Sequence, residues 1–187
     1  MKIGILGGTF NPPHIGHLIL AQTLTEKLKL NKFFLIPTNM PPHKNTYLID
    51  AKHRLNMVKL AIENNPTFEL LDWEVKRGGI SYTIDTVKEL KKKFPQDEFF
   101  LIMGSDLAND FYTWKHYREI KRLVKIVIAK REIFPIKKKN SFFALDIIQI
   151  NITSSLVREY IRKGVSVRYL IPEKVFGYIK KNRLYRK

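Results

Sequence analysis

Short apolar runs alternate with amphipathic stretches along most of the chain. KIGIL (2–6), FFLIP (33–37), FELLDWEV (68–75), EFFLIMG (98–104), KIVIAK (125–130) and DIIQI (146–150) are predicted strands. Between and after them, helical spacing is predicted over 15–30, 51–64, 81–94, 114–123, 153–163 and 172–181. The strand segments are apolar throughout and lack period-two alternation, so both of their faces meet other elements. Strands of this kind separated by helices imply an α/β fold, a doubly wound parallel sheet with helices on both faces. No repeat, linker or domain boundary interrupts the pattern. One domain over residues 1–187 is expected, with the C-terminal helices from about 153 packed on the sheet and 162–172 merely linking the last two.

In such sheets ligands bind beyond the carboxyl ends of the strands, where the strand order reverses. The segments that fall there are GGTFNPPHIGH, PTNMPPHK, GSDLANDFYTW and NITSSLVR. They hold nearly every residue with distinctive chemistry.

Composition narrows the setting. The 187 residues are 44% hydrophobic, enough for a substantial core, and no cysteine is present, which excludes disulfides, iron–sulfur clusters and thiolate zinc. No apolar run reaches membrane-span length, and MKIGILGGTF has no signal-peptide pattern, so a cytoplasmic protein is expected. The net charge of +17 is lopsided: residues 1–114 carry 14 Lys+Arg against 12 Asp+Glu, and residues 115–187 carry 20 against 5. A basic half suits nucleic acid, an anionic membrane, a polyphosphate or plain solvation. The triplets Lys91–Lys93 and Lys137–Lys139 are read as solvated, at a helix end and in a loop.

Gly7 and Gly8 close the first strand, where glycine permits positive φ and lets a ligand approach bare backbone. The helix from Ile15 aims its first N–H groups at the same place, an arrangement that suits an anion. The pattern is neither the dinucleotide G-x-G-x-x-G nor a P-loop. His14 and His17 share a face of the first helical turn, and Gly16 keeps the surface between them flat. Two histidines without a third ligand make a poor zinc site, so no protein metal site is expected. Imidazoles donating hydrogen bonds to phosphoryl oxygens fit better.

GGTFNPPHIGH resembles the signature of the nucleotidyltransferase superfamily with the H-x-G-H motif, whose fold is Rossmann-like. PPHK at 41–44, SYTIDT at 81–86, GSD at 104–106 with Trp114 beyond it, and TSSLVR at 153–158 together resemble the bacterial nicotinate-nucleotide adenylyltransferase family. The resemblance runs in order from Met1 past Arg158. It departs at Asn11, where many superfamily members carry aspartate, and in the last motif, where serine and threonine have exchanged places.

The resemblance implies transfer of AMP from ATP to nicotinate mononucleotide, giving deamido-NAD and pyrophosphate. The acceptor phosphate is already mostly deprotonated at pH 7, so the site must supply alignment and charge neutralisation rather than a base. His14, His17 and Arg158 are the expected catalytic groups. Gly7, Gly8, Thr9, Phe10, Gly104, Asp106, Ser154 and Ser155 join them in binding ATP; among Thr153, Ser154 and Ser155, which hydroxyl meets phosphate is open. His43, Lys44, Thr83, Asp106 and Trp114 are expected around the mononucleotide. There Trp114 offers a face to the pyridine, Thr83 a hydroxyl and N–H to the carboxylate, and Asp106 suits a ribose hydroxyl, a metal-bound water or a helix cap. Magnesium is expected to be held mainly by ATP phosphates and water.

Phosphopantetheine adenylyltransferase shares a late motif like SSxLVR but lacks PPHK and SYTIDT. An RNA-binding protein is the reading from another class; without a K-M-S-K-S segment or an aromatic RNP-type stretch, nucleic acid is not expected as a partner. A regulatory nucleotide-binding protein without catalysis is a third reading, against which the intact histidines and Arg158 stand. A homo-oligomer is compatible with all of this.

Overall fold

The structure, a computed structural model, describes residues 1–42, 47–130, 142–148 and 150–186, and of Asp106 only the backbone. His43, Lys44 and Lys137–Lys139 lie outside the described residues. The strands are β1 (Lys2–Gly8), β2 (Lys32–Pro37), β3 (Phe68–Leu70), β4 (Glu98–Gly104), β5 (Lys125–Lys130) and β6 (Phe143–Asp146). The helices are α1 (Ile15–Leu28), α2 (Ala51–Ile62), α3 (Trp73–Arg77), α4 (Thr83–Lys93), α5 (Ser105–Asp110), α6 (Tyr117–Leu123), α7 (Ser154–Arg162) and α8 (Glu173–Lys181).

All strand pairings are parallel, in the order β3-β2-β1-β4-β5-β6. The order reverses between β1 and β4, so the loops after these strands flank the crevice. This is the doubly wound, Rossmann-like sheet expected from the apolar runs. Ile3, Ile5, Phe34, Ile36, Phe99 and Leu101 pack on one face against α4 and α6, and Phe33, Leu35, Phe100 and Ile102 on the other against α1 and α2. Each such side chain contributes about 2 kcal/mol by leaving water. A third cluster joins Met57 of α2 to Val157 of α7 and to Val175 and Ile179 of α8.

Three segments differ from the sequence pattern. The predicted strand 68–75 pairs only through Leu70; Leu71 N–H still reaches Leu35 O, and then Lys76 N–H bonds Asp72 O in the helix α3. The segment mixes apolar and acidic residues and is ambiguous by periodicity; β2 itself runs on to Pro37, so it is the turn into α3 at Asp72 that ends the pairing. The last strand lies at 143–146 rather than 146–150, because β5 stops at Lys130, which pairs with Asp146. Helix 114–123 starts only at Tyr117: α5 and a 3-10 turn (Phe111–Thr113) come first, and His116 at φ 54° interrupts the run. Segment 162–172 is more than a link, since Val167 and Ile171 are core residues and Leu170 O accepts the Ile15 N–H.

Candidate active site

The turn after β1 departs from the glycine expectation. Gly7 and Gly8 belong to the strand and neither has positive φ; the left-handed residue is Phe10, at φ 45°. That conformation costs about 1–2 kcal/mol, offset by complete burial of the Phe10 ring. A Cβ on Gly7 would meet nothing within 4 Å, so no protein contact demands glycine there; Gly7 lines the cavity beside this turn. After the cis Asn11–Pro12 bond the chain enters α1.

His14 caps α1, and its backbone N–H donates to His17 Nδ1 at 3.1 Å. With Nδ1 accepting, the His17 proton resides on Nε2, which makes that atom a donor. The two rings stack with centroids 3.7 Å apart. A Cβ on Gly16 would come to 3.0 Å from His14 Nδ1, so a side chain there would displace the His14 ring by a few tenths of an ångström. The helix offers fewer N–H groups to an anion than expected: Ile15 N–H bonds Leu170 O, and His17 N–H bonds His14 O.

α7 brings its N-terminus against the same turn. Thr153 Oγ1 caps the helix by accepting from Leu156 N–H, and Ser154 Oγ donates to Pro12 O at 2.8 Å. Arg158 donates from Nη1 to Asn11 O at 2.7 Å and from Nη2 to Ser155 Oγ at 3.2 Å. Thr153 is thus occupied as the cap, which leaves Ser154 and Ser155 nearer the turn and Arg158. The Asn11 side chain is a buried junction: Oδ1 accepts from Tyr185 Oη and Nδ2 donates to Tyr47 O, both at 2.8 Å. Burial drives the Tyr185 pKa well up, so it stays a donor.

On the other side of the turn lies a cavity of about 170 Å³, lined by Gly7, Gly8 and Thr9, by Tyr82 and Thr83 at the start of α4, and by Leu107 and Trp114. The geometry therefore brings Thr83 and Trp114 to the glycine turn, while His14, His17, Ser154 and Arg158 approach the turn from beside it. Gly104 caps α5 at the end of β4, across the crevice.

Glu74 is a site residue that the motifs do not reveal. It lines the cavity at 5% exposure and accepts from Thr86 Oγ1 at 2.7 Å. Burial raises its pKa, opposed by the Thr86 and Ser81 hydroxyls. The native state therefore holds a proton that the unfolded chain releases, so its contribution is full below the ordinary glutamate value near 4.5 and is lost as pH rises through the native value. Glu74→Gln keeps an acceptor for Thr86 and removes the titration. Its melting temperature should gain on the wild type as pH rises from about 4.5 and then level off; parallel curves for the two proteins would refute this.

Arg54 is equally absent from the expectations, although an arginine on the apolar face of 51–64, one turn before Met57 and Val58, is the signal that marks it. It is 1% exposed. Among the described residues no three His, Asp or Glu side chains converge to hold a metal. No helix among them is long and apolar enough to cross a membrane.

Residues 5–160 match the cytidylyltransferase-like family model. The chain is 42% identical to the probable nicotinate-nucleotide adenylyltransferase of Dictyoglomus thermophilum, covering 99% of this chain and 100% of that one. It is 38% identical to the nicotinate-nucleotide adenylyltransferase of Bacillus subtilis, covering 98% of each. The fold is shared with the Plasmodium falciparum nicotinic acid mononucleotide adenylyltransferase complexed with NaAD, at a TM-score of 0.83 and 23% identity over 98% of this chain and 97% of that one.

Proposed function

We infer that this chain, which belongs to the cytidylyltransferase-like family and within it to the nicotinate-nucleotide adenylyltransferases, transfers AMP from ATP to nicotinate mononucleotide, giving deamido-NAD and pyrophosphate in NAD biosynthesis. One observation supports this most: a largely apolar cavity with Trp114 and Thr83 on its wall opens onto the bare Gly7–Thr9 backbone. Two nucleotides meet there, one on each side of the point where the strand order reverses.

An acceptor phosphate oxygen attacks the α-phosphorus of ATP; the new P–O bond forms as the α–β bridge breaks, and the electron pair leaves on pyrophosphate. His17 donates from Nε2 to the phosphoryl oxygens, with His14 stacked behind it. Arg158, Ser154 and Ser155 neutralise and orient the triphosphate, and the backbone from Gly7 to Phe10 lines its path. Gly104 and Asp106 meet the nucleotide from the end of β4. His43 and Lys44 act on the mononucleotide side with Thr83 and Trp114. Apart from Asp106, the groups in this set are N–H, hydroxyl, ammonium and guanidinium donors, so magnesium would be held mainly by ATP phosphates and water and would supply charge neutralisation when bound. The whole chain works as one nucleotidyltransferase unit, and the cytoplasm is its expected compartment.

The test offers ATP and magnesium with nicotinate mononucleotide, nicotinamide mononucleotide or phosphopantetheine in parallel, and measures pyrophosphate release. The acid should be turned over most efficiently, because the hydroxyl and N–H groups at the start of α4 are donors. A preference for phosphopantetheine, or no release with any acceptor, would overturn the reading. Trp114→Ala should raise KM for the mononucleotide by roughly tenfold through lost stacking and leave KM for ATP nearly unchanged. Equal rises in both would refute the placement of the ring.

A further inference from the structure

Arg54 is buried in the first turn of α2 and, among the described residues, bonds only to backbone carbonyls. Nη1 donates to Thr9 O at 3.0 Å and to Thr38 O at 2.5 Å, Nη2 to Asn39 O at 3.0 Å, and Nε to Ile49 O at 3.2 Å. These carbonyls come from the turn after β1 and from both ends of the long loop after β2. No carboxylate pairs with the guanidinium among the described residues. Asp50, whose charge favours the guanidinium less than Tyr185 does, uses its side chain to accept from Lys52 N–H.

A buried charge without a counter-ion is expensive. Neutral carbonyls satisfy its hydrogen bonds but not its charge. Each bond also orients a peptide: in a trans peptide the N–H points away from the carbonyl, so holding Thr9 O inward turns the Phe10 N–H away from Arg54. Holding Thr38 O likewise turns the Asn39 N–H outward, where it donates to Ser81 Oγ at 2.8 Å beside the start of α4. Ser81 N–H in turn donates to Met40 O. One side chain therefore ties the glycine turn, the loop after β2 and, through Asn39, the α4 start that bounds the cavity.

We propose that Arg54 is a positioning residue that sets the relative geometry of the two substrate subsites and lends its uncompensated charge to the bound triphosphate. The proposal rests on the adenylyltransferase reading for its chemistry. Its two parts are separable by substitution. Lysine keeps the charge but, as a single ammonium, cannot reach carbonyls from all these segments; methionine keeps the bulk and removes both.

The experiment measures melting temperature, binding of a non-hydrolysable ATP analogue by titration, and steady-state kinetics for the wild type, R54K and R54M, well below each melting temperature. R54K should bind the analogue within about threefold of the wild type, while kcat falls by about tenfold to a hundredfold from subsite misalignment. R54M should in addition weaken analogue binding by about tenfold or more, the charge having been lost. Wild-type kcat in folded R54K would overturn the positioning role, and equal analogue affinity in R54M and wild type would overturn the charge role. Should R54M fail to fold, R54K decides the positioning role, and analogue binding by R54Q takes the place of the R54M titration. Should the wild type turn over none of the acceptors, the adenylyltransferase reading fails while the analogue affinities still test Arg54.

Discussion

His17→Ala should lower kcat by about a hundredfold or more and leave the protein folded. The substitution removes the Nε2 donor, and loss of one preorganised donor to transition-state charge has an effect of this size. It also removes Nδ1, which accepts the His14 N–H, so α1 loses part of its cap at a cost of about 1 kcal/mol. A small fall in melting temperature should therefore accompany a large fall in turnover. The two are separated by measuring kcat per folded molecule at a temperature where both proteins are native. His17→Asn can restore an acceptor for the His14 N–H without restoring an imidazole donor; it should recover stability but not turnover. A folded His17→Ala protein that turns over at the wild-type rate would remove His17 from the mechanism.

Arg158→Ala should lower kcat/KM for ATP by a hundredfold or more. Its guanidinium is half-buried and aimed by its bonds to Asn11 O and Ser155 Oγ, so it meets an anionic ligand already oriented, and charge-assisted contacts of this kind are among the strongest available. Burial lowers its pKa somewhat, with Tyr185 opposing that shift and Arg162 adding to it, but an arginine stays cationic at any working pH. Arg162, an exposed arginine on the same helix, provides the control. Its charge faces solvent and is screened at physiological salt, so Arg162→Ala should leave ATP kinetics nearly unchanged. Equal losses from the two substitutions would mean that the basic character of the C-terminal part, rather than the placement of Arg158, governs ATP use. An RNA-binding protein would show that pattern as salt-sensitive retention of RNA.

Much of this molecule was determined locally. Apolar strands without alternation dictate a sheet covered on both faces, and the helical spacing between them dictates parallel crossovers. The loops at the carboxyl edge can therefore be identified from sequence alone, and so can the proximity of His14 and His17, three residues apart; that His14 sits as the extended N-cap with its ring against His17 is seen only in the structure. The charge on the C-terminal part was equally visible, but it could not single out Arg158.

Tertiary structure decided whatever depends on partners distant in the chain. The edge strand β6 ends where its neighbour ends, which its own residues cannot state. Positive φ falls on Phe10 rather than on Gly7 or Gly8, because burying the Phe10 ring offsets the strain. Asn11 holds Tyr185, 174 residues away, and Arg54 gathers carbonyls from segments up to 45 residues away. Such bonds leave only a faint trace in sequence, a polar residue on an otherwise apolar face. The physical reason is that a buried polar group must find hydrogen-bond partners wherever the fold supplies them. The chain's pattern shows that the group is buried, and only the packed structure shows what satisfies it.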